Sequence, residues 1–416
     1  MTDKPPFAHH ARNGDANGSG DYDVLILDAS MKQSLASVRS LGRTGLRVAA
    51  GESVGQFDQT VPLPTFQSRY CQRSLVLPDL VSDAPAFSAA VIAFVREHSP
   101  RVLLPTGDVT IGVLRPHRQQ LAELGCVLAL AAEPVLEVAN DKDRTLALAE
   151  QLGIPQPKSL RIGSVDELAT AVKEFGFPFV LKPTISWTEQ MEEHLFPVDV
   201  INSDEAREVT EQILKAGSGV LAQQWLPGRR EGVTLFIAGD QVAASCGHVA
   251  HRTAPPLGGA SVVRESIQPY DILDASVLLV KAMGLQGTCE VEFRRDAANR
   301  PLLMEVNARL AGTIENAVQA GIDFPLMVWR WATGLEVEPV TSYRCGVRTR
   351  WLHGDLRWLR KNWHRAGRPD GMSHAKMIYT FIAEFARTYH YDYFDRHDLK
   401  PFFAELRHTA HILKKK

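Results

Sequence analysis

The residues whose type and spacing best suit chemistry are Glu292, Glu305 and Asn307, in the stretch TCEVEFRRDAANRPLLMEVNAR from Thr288 to Arg309. Two runs of alternating apolar residues, 289–293 and 301–306, flank a polar break at 296–300, which is the pattern of a β-hairpin. Symmetric pairing about Ala298 and Asn299 sets Glu292 opposite Glu305, and the two-residue side-chain period puts Asn307 on the same face as Glu305. Opposed carboxylates repel unless a cation lies between them. A hard divalent ion with oxygen ligands, such as Mg²⁺, meets that need. Spacing alone equally allows a solvated hairpin face carrying scattered charges.

Other candidates are cationic. Lys182 ends the apolar run of FGFPFVLKPTIS. A buried ammonium there needs an anionic partner, either a structural carboxylate or a phosphate. Arg252 and Arg264 flank Gly258 and Gly259 in HRTAPPLGGASVVRES, where exposed amides beside two guanidinium groups suit a phosphate or carboxylate. The same segment also reads as an ordinary surface loop. His248 and His251 read as surface or satisfied core residues rather than catalysts. Cys71, Cys126, Cys246, Cys289 and Cys345 form no CxxC pair or Cys/His cluster, so reduced thiols are expected rather than disulfides or zinc.

The elements that must position these groups alternate strands with helices. DVLILDAS reads as a buried strand, 33–41 as a helix closed by Gly42 and Gly45, and 46–50 as a second strand. A helical stretch at 86–97 and RVLLPTGD repeat the pattern, which predicts an open parallel sheet with ligands at the carboxyl ends of its strands. The first turn, Asp28 to Lys32, lacks GxGxxG, so a dinucleotide is not expected. The loops around Ser30, Asp108 and Thr110 either hold substrate or cap helices. At Asn140 the texture changes: NDKDRTLALAEQLGIPQPKS combines an Asp cap, a helix, a Gly stop and two prolines, and opens a new domain. GVLAQQWLPGRREGVTLFIAGDQVAAS gives a strand, a turn at Pro227 and Gly228, and a hairpin turned at Gly239 and Asp240.

The expected boundaries are a mobile tail at 1–21, an α/β domain at 22–139, a second unit at 140–225, a third with the acidic hairpin at 226–334, and a mostly helical extension at 335–416. In that extension Trp351, Trp358 and Trp363 alternate with arginines at helical spacing. Packing on the main body, a membrane-surface helix and a nucleic-acid arm all fit, and the general weight of core packing favours the first. The 416 residues carry a net charge of -2 and a pI near 6.7, so no global basic field points to nucleic acid. No apolar run is long enough to span a bilayer and the start has no apolar leader, so a cytoplasmic protein is expected.

Taken in order, VRSLGRTG, SRYCQ, LLPTGD, NDK before a helix ending GIPQP, FVLKP, QQWLPG with Glu231, GGASVVRES, CEVEF and LMEVNARLAG resemble the ATP-grasp superfamily. The likeness is closest to its carboxylate-amine ligases related to the ATP-binding half of carbamoyl phosphate synthase. It runs from about Tyr22 to Gly334. It implies a mixed α/β and α+β fold: an N-terminal preATP-grasp, Rossmann-like parallel sheet, a central lid-bearing subdomain and a C-terminal subdomain. ATP would lie between the last two. By the same resemblance Lys142 and Lys182 bind phosphates, Gln224, Trp225 and Leu226 line the adenine, and Glu231 accepts the ribose hydroxyls. Glu292, Glu305 and Asn307 hold Mg²⁺, with Mn²⁺ as an alternative, and Arg309 steadies the transferring phosphoryl group. Arg252 and Arg264 orient the substrate carboxylate or acylphosphate. The implied partners are a small-molecule carboxylate and an amine, and a homodimer is compatible with the reading. The sequence departs from the family in having no glycine between Thr184 and Glu189, and in having Gln224 where many relatives have Glu. A non-ligating ATP-binding scaffold and a small-molecule kinase are the alternative functions.

Overall fold

The computed structural model describes residues 20–184, 195, 197–255, 259–363, 365 and 371–414. Residues 1–19 of the expected tail, 185–189 of the glycine-free loop and Gly258 of the Gly-Gly pair lie outside them.

A five-stranded parallel sheet comprises β1 (Val24–Ile26), β2 (Val48–Ser53), β3 (Cys71–Leu77), β4 (Val102–Leu104) and β5 (Val127–Leu128), in the order β3-β2-β1-β4-β5. Its central strand is buried on both sides, as parallel strands are. Leu25 and Leu27 enter one apolar core, Val24 and Ile26 the other. At the carboxyl end Asp28, at φ 59°, accepts hydrogen bonds from the backbone N–H groups of Thr106 (2.8 Å) and Gly107 (2.7 Å) and from the Thr110 hydroxyl. Ser30 donates its N–H to Glu52 (2.6 Å). Ser30 and Thr110 therefore tie the strand ends together, while Asp108 turns towards the acidic hairpin.

A four-stranded antiparallel sheet follows, of β6 (Ser159–Ile162), β7 (Phe179–Pro183), β8 (Val198–Val200) and β9 (Val220–Gln224), in the order β6-β9-β7-β8. It has its own small core around Phe179, Leu181 and Ala222. The helix Lys142–Gln151, capped by the Asp141 carboxylate, instead packs into the core it shares with the third sheet, and Leu303 donates its N–H to Pro155 O (2.8 Å).

The third sheet has seven strands: β10 (Arg230–Ala238), β11 (Gln241–Ala254), β12 (Ala260–Ile267), β13 (Gly287–Arg295), β14 (Pro301–Asn307), β15 (Arg348–Arg350) and β16 (His390–Tyr391). Their order is β14-β13-β10-β11-β12-β15-β16, so the extension contributes two strands as well as helices. Without β15, β12 would present an unpaired edge, and edges left open invite aberrant pairing. Buried ion pairs complete the union: Arg264 with Asp392, Arg252 with Asp355 (2.7 Å), and Arg39 with Asp398 (3.0 Å). Trp358 is buried and Trp351 donates to Glu405 (2.8 Å), whereas Trp363 is exposed and stacks on His374. All five cysteines are free thiols.

Candidate active site

The hairpin pairs as its spacing requires where chemistry matters: Glu292 lies opposite Glu305 and Glu290 opposite Asn307. Nearer the turn the register differs by one, with Phe293 opposite Leu303 and Arg295 opposite Pro301. A bulge at Met304 reconciles the two halves, because a strand that slips one residue reverses which side chains face the core. Leu303 and Val306 thereby both enter the core, and Glu305 and Asn307 face the opposite side. Glu290 shares that face with Glu292, being two residues away along β13.

The cation beside Glu292 is supplied by the chain itself. Arg230 donates to both carboxylate oxygens, from Nε (2.6 Å) and Nη2 (2.5 Å), and from Nη1 to Gly259 O (2.7 Å). Glu305 has no hydrogen bond or ion pair among the described residues, yet Lys142, Arg230, Lys182 and Arg309 all lie close enough to act on its charge. Burial raises its pKa, and those four cations more than offset this, leaving it below the ordinary value. Glu292 goes the other way: burial, Glu305 and Glu290 raise it against the pull of Arg230. Two opposed carboxylates are thus driven apart, with Glu305 the readier anion.

Lys142 begins its helix beside Thr184, which follows β7, and so comes near Lys182. Lys182 is 3% exposed and its amine has no hydrogen-bond acceptor among the described residues. Burial and then Lys142 lower its pKa to about 8, against Glu305 and Asp143. A buried ammonium left without a partner is rare, and two adjacent lysines beside an unbonded carboxylate form a natural cradle for phosphate and a metal ion together. Arg309 donates to Asp108 from Nε (2.5 Å) and Nη2 (2.9 Å), and to Asn307 Oδ1 (3.2 Å), joining the parallel sheet to the hairpin.

Lys142, Lys182, Glu292, Glu305, Asn307 and Arg309 therefore converge. Glu231 does not join them. Successive strand residues alternate faces, so Arg230 sides with Glu292 while Glu231 lies on the other face, held by Arg295 (2.6 Å) and Arg229. Arg252 is also elsewhere, bound to Asp355 and Thr380 O (2.6 Å) with its guanidinium 4.6 Å from the Trp358 ring centre. Arg264 is fully buried against Asp392. Gln224 ends β9, where its N–H bonds Lys158 O (2.9 Å), Leu226 is buried, and the buried Trp225 indole N–H has no acceptor among the described residues.

The sequence reading missed Arg230, Glu290 and Lys32. Period-two alternation would have found Glu290. Lys32, buried at the start of the helix Lys32–Arg43, donates to Ser261 O (2.5 Å), and burial followed by Arg264 lowers its pKa to about 7. His248 Nε2 lies 3.5 Å from Glu290, which also accepts from the Thr313 hydroxyl (2.5 Å). Burial drives His248 down to about 3, so it stays neutral. Gly232, opposite His248, leaves room for the ring, since a Cβ there would meet His248 Cε1 at 2.5 Å. Gly232→Ala is expected to destabilise the protein by about 1–3 kcal/mol through overpacking, read as a lower denaturant midpoint; an unchanged midpoint would show that the ring yields freely.

The donor set of Glu292, Glu305 and Asn307 is all oxygen, which suits Mg²⁺ or Mn²⁺. Among the described residues no three His, Cys, Asp or Glu side chains already form a metal-holding group, and Arg230 engages both oxygens of Glu292. Glu305 is the carboxylate left open.

A family model described as ATP-grasp in the biosynthetic pathway with Ter operon matches residues 249–354, which include the acidic hairpin. D-alanine–D-alanine ligase of Pseudomonas entomophila is 27% identical over 206 residues, 46% of this chain and 63% of that enzyme. The chain thus matches less than two-thirds of that relative's length. Among solved structures, an L-amino acid ligase from Bacillus licheniformis superposes with a TM-score of 0.60 at 18% identity, covering 80% of this chain and 79% of the other. A biotin carboxylase from Campylobacter jejuni, solved as its β,γ-ATP complex, gives 0.61 at 14% identity, covering 79% and 74%. The chain thus shares the fold of these solved structures, and over residues 249–354, where the opposed glutamates lie, it matches an ATP-grasp family model.

Proposed function

We propose that the protein is an ATP- and Mg²⁺-dependent carboxylate-amine ligase. The observation that carries the reading is Glu305, unbonded on its sheet face and acted on by Lys142, Lys182, Arg230 and Arg309. The D-alanine–D-alanine ligase and L-amino acid ligase relatives, both named for joining amino acids, support the reaction class.

Lys142 and Lys182 would take the α and β phosphates, and the linker from Gln224 to Leu226 would lie against the adenine. A substrate carboxylate attacks the γ-phosphorus, the bond to the β-phosphate oxygen breaks, and ADP leaves with an acylphosphate formed. Arg309, already joined to Asn307, neutralises charge on the transferring group. An amine then attacks the acyl carbon, inorganic phosphate departs, and the amine proton passes to solvent. Bound through Glu305, Asn307 and Glu292, Mg²⁺ or Mn²⁺ would supply Lewis-acid neutralisation of the phosphate oxygens. Glu292 would become free for this if Arg230 turned its guanidinium to the phosphates, for which its planar fork is suited.

The test is ADP and phosphate release from MgATP over pooled small carboxylates and amines, with condensed products sought by mass. ATP binding with no substrate-dependent ADP release would sink the ligase reading. ADP release with a phosphorylated product and no condensation would make the protein a kinase.

The Lys182 pKa sets a pH dependence. Its amine is charged below about 8, and bound phosphate raises the pKa further. ATP affinity should therefore be flat up to about pH 8 and fall above it, by up to about tenfold per unit while only the complex keeps the proton. Titration calorimetry from neutral to alkaline pH reads this. Lys182→Met should bind weakly at every pH and lose the dependence; a wild-type decline that persists in the variant would place the titrating group elsewhere.

A further inference from the structure

The helix His374–Arg387 packs against the body through Met377 and Glu384, both buried, with Thr380 and Phe381 half-buried. The face beside it is apolar too. Ile378, Ile382, Phe385 and Tyr389 recur at i, i+4, i+7 and i+11, one stripe of a helix and the residue beyond its end, and all are exposed, Ile382 by 61% and Tyr389 by 82%. An exposed apolar stripe of this kind marks an interaction site rather than ordinary surface variation.

The charge around the stripe selects the partner. Residues 335–416 hold sixteen Lys and Arg against nine Asp and Glu, a net +7 in a chain whose total is -2. The acids that this region contributes next to the helix are turned inward: Asp355 is fully buried with Arg252 and Arg350, and Glu384 is 3% exposed beside Arg348. Other bases remain outside. Arg360, Lys376 and Arg387 are exposed, and stacking of Trp363 on His374 at 4.1 Å joins the basic end of the helix Leu352–Trp363 to the start of the apolar one.

We propose that this face docks on an anionic lipid bilayer, with the Ile378–Tyr389 stripe entering the headgroup-acyl boundary and the flanking Arg and Lys residues on lipid phosphates. Among the described residues no helix is long and apolar enough to cross a membrane, so the contact is with its surface. Tyr379 and Tyr389 suit the interface, where an aromatic ring can be buried and its hydroxyl kept wet. A second copy of the chain fits less well, since a symmetric contact would bring the two basic rims together. Nucleic acid would use the rim but gains little from an aliphatic stripe.

The test is sedimentation of the full chain with vesicles of equal parts phosphatidylglycerol and phosphatidylcholine, against phosphatidylcholine alone. Binding to the anionic vesicles only, weakened by salt, is expected. The double variant I382D/F385D should bind more than tenfold less; because the Phe385 ring centre also lies 4.2 Å from the Arg350 guanidinium, circular dichroism is read beside binding. If it misfolds, R360E/K376E is read instead, and should also bind more than tenfold less. No binding to anionic vesicles overturns the proposal, as does binding indifferent to both variants. A stable dimer that I382D/F385D splits, without vesicle binding, assigns the face to a second copy. Duplex DNA that binds the parent and I382D/F385D alike, and displaces the vesicles, assigns it to nucleic acid.

Discussion

Glu305→Gln is expected to lower ATP-dependent turnover by at least about 10²–10³-fold while leaving the fold intact. Glutamine keeps the shape and removes the negative charge. In the resting protein that carboxylate bonds nothing among the described residues, so no hydrogen bond is lost on substitution. What disappears is the anion that Lys142, Lys182, Arg230 and Arg309 hold ionised, and with it the metal ligand that the proposed function places opposite Glu292. Four cations would then converge without it, so charge still draws nucleotide in, and ATP affinity should fall much less than turnover. The measurement is the initial rate of ADP release beside ATP binding by calorimetry and the unfolding midpoint. Turnover within a few-fold of the parent, in a folded variant, would show that the opposed glutamates are not the metal-binding wall.

Local rules carried the sequence reading as far as period and turn chemistry reach. The Glu292–Glu305 pairing, the hairpin at Gly239 and Asp240, and the parallel sheet from its alternating strands and helices follow from side-chain period and turn residues, which act within a few positions. The Met304 bulge was not legible, because a single extra residue leaves the apolar pattern looking continuous. Nor was the Arg230 ion pair, which arises from the pairing of β10 with β13, 62 residues apart. The choice between Arg230 and Glu231 shows the sharpness of the rule: one residue of register decides which neighbour meets the acidic face. Lys32 was invisible for a stronger reason, since its surroundings come from the third sheet and the extension, which are joined to it only by tertiary packing.

Asp392→Ala should destabilise the protein by about 3–5 kcal/mol, among the largest losses available to a single substitution here. Asp392 and Arg264 are both buried, and removing the carboxylate leaves a guanidinium in the interior with no counter-charge. Burial opposes ionisation of Asp392, but Arg264 and Lys32 outweigh it and hold the pKa below the ordinary value. Its contribution is therefore present above about pH 4 and lost as pH falls through the lowered value, so parent and variant should converge in stability in acid. The backbone bonds of this residue, from Arg39 to Asp392 O (3.0 Å) and from Asp392 N–H to Arg350 O (3.1 Å), survive the substitution, so the cost is that of the ion pair. Denaturant midpoints across pH read the effect, and a variant as stable as the parent at neutral pH would remove this pair from the account. Asp392→Asn, which keeps the shape, separates structure from catalysis. If Arg264 also meets the substrate carboxylate, the loosened guanidinium should raise KM for that substrate while the ATP affinity holds; if Arg264 is only a strut, stability falls and both binding constants stay.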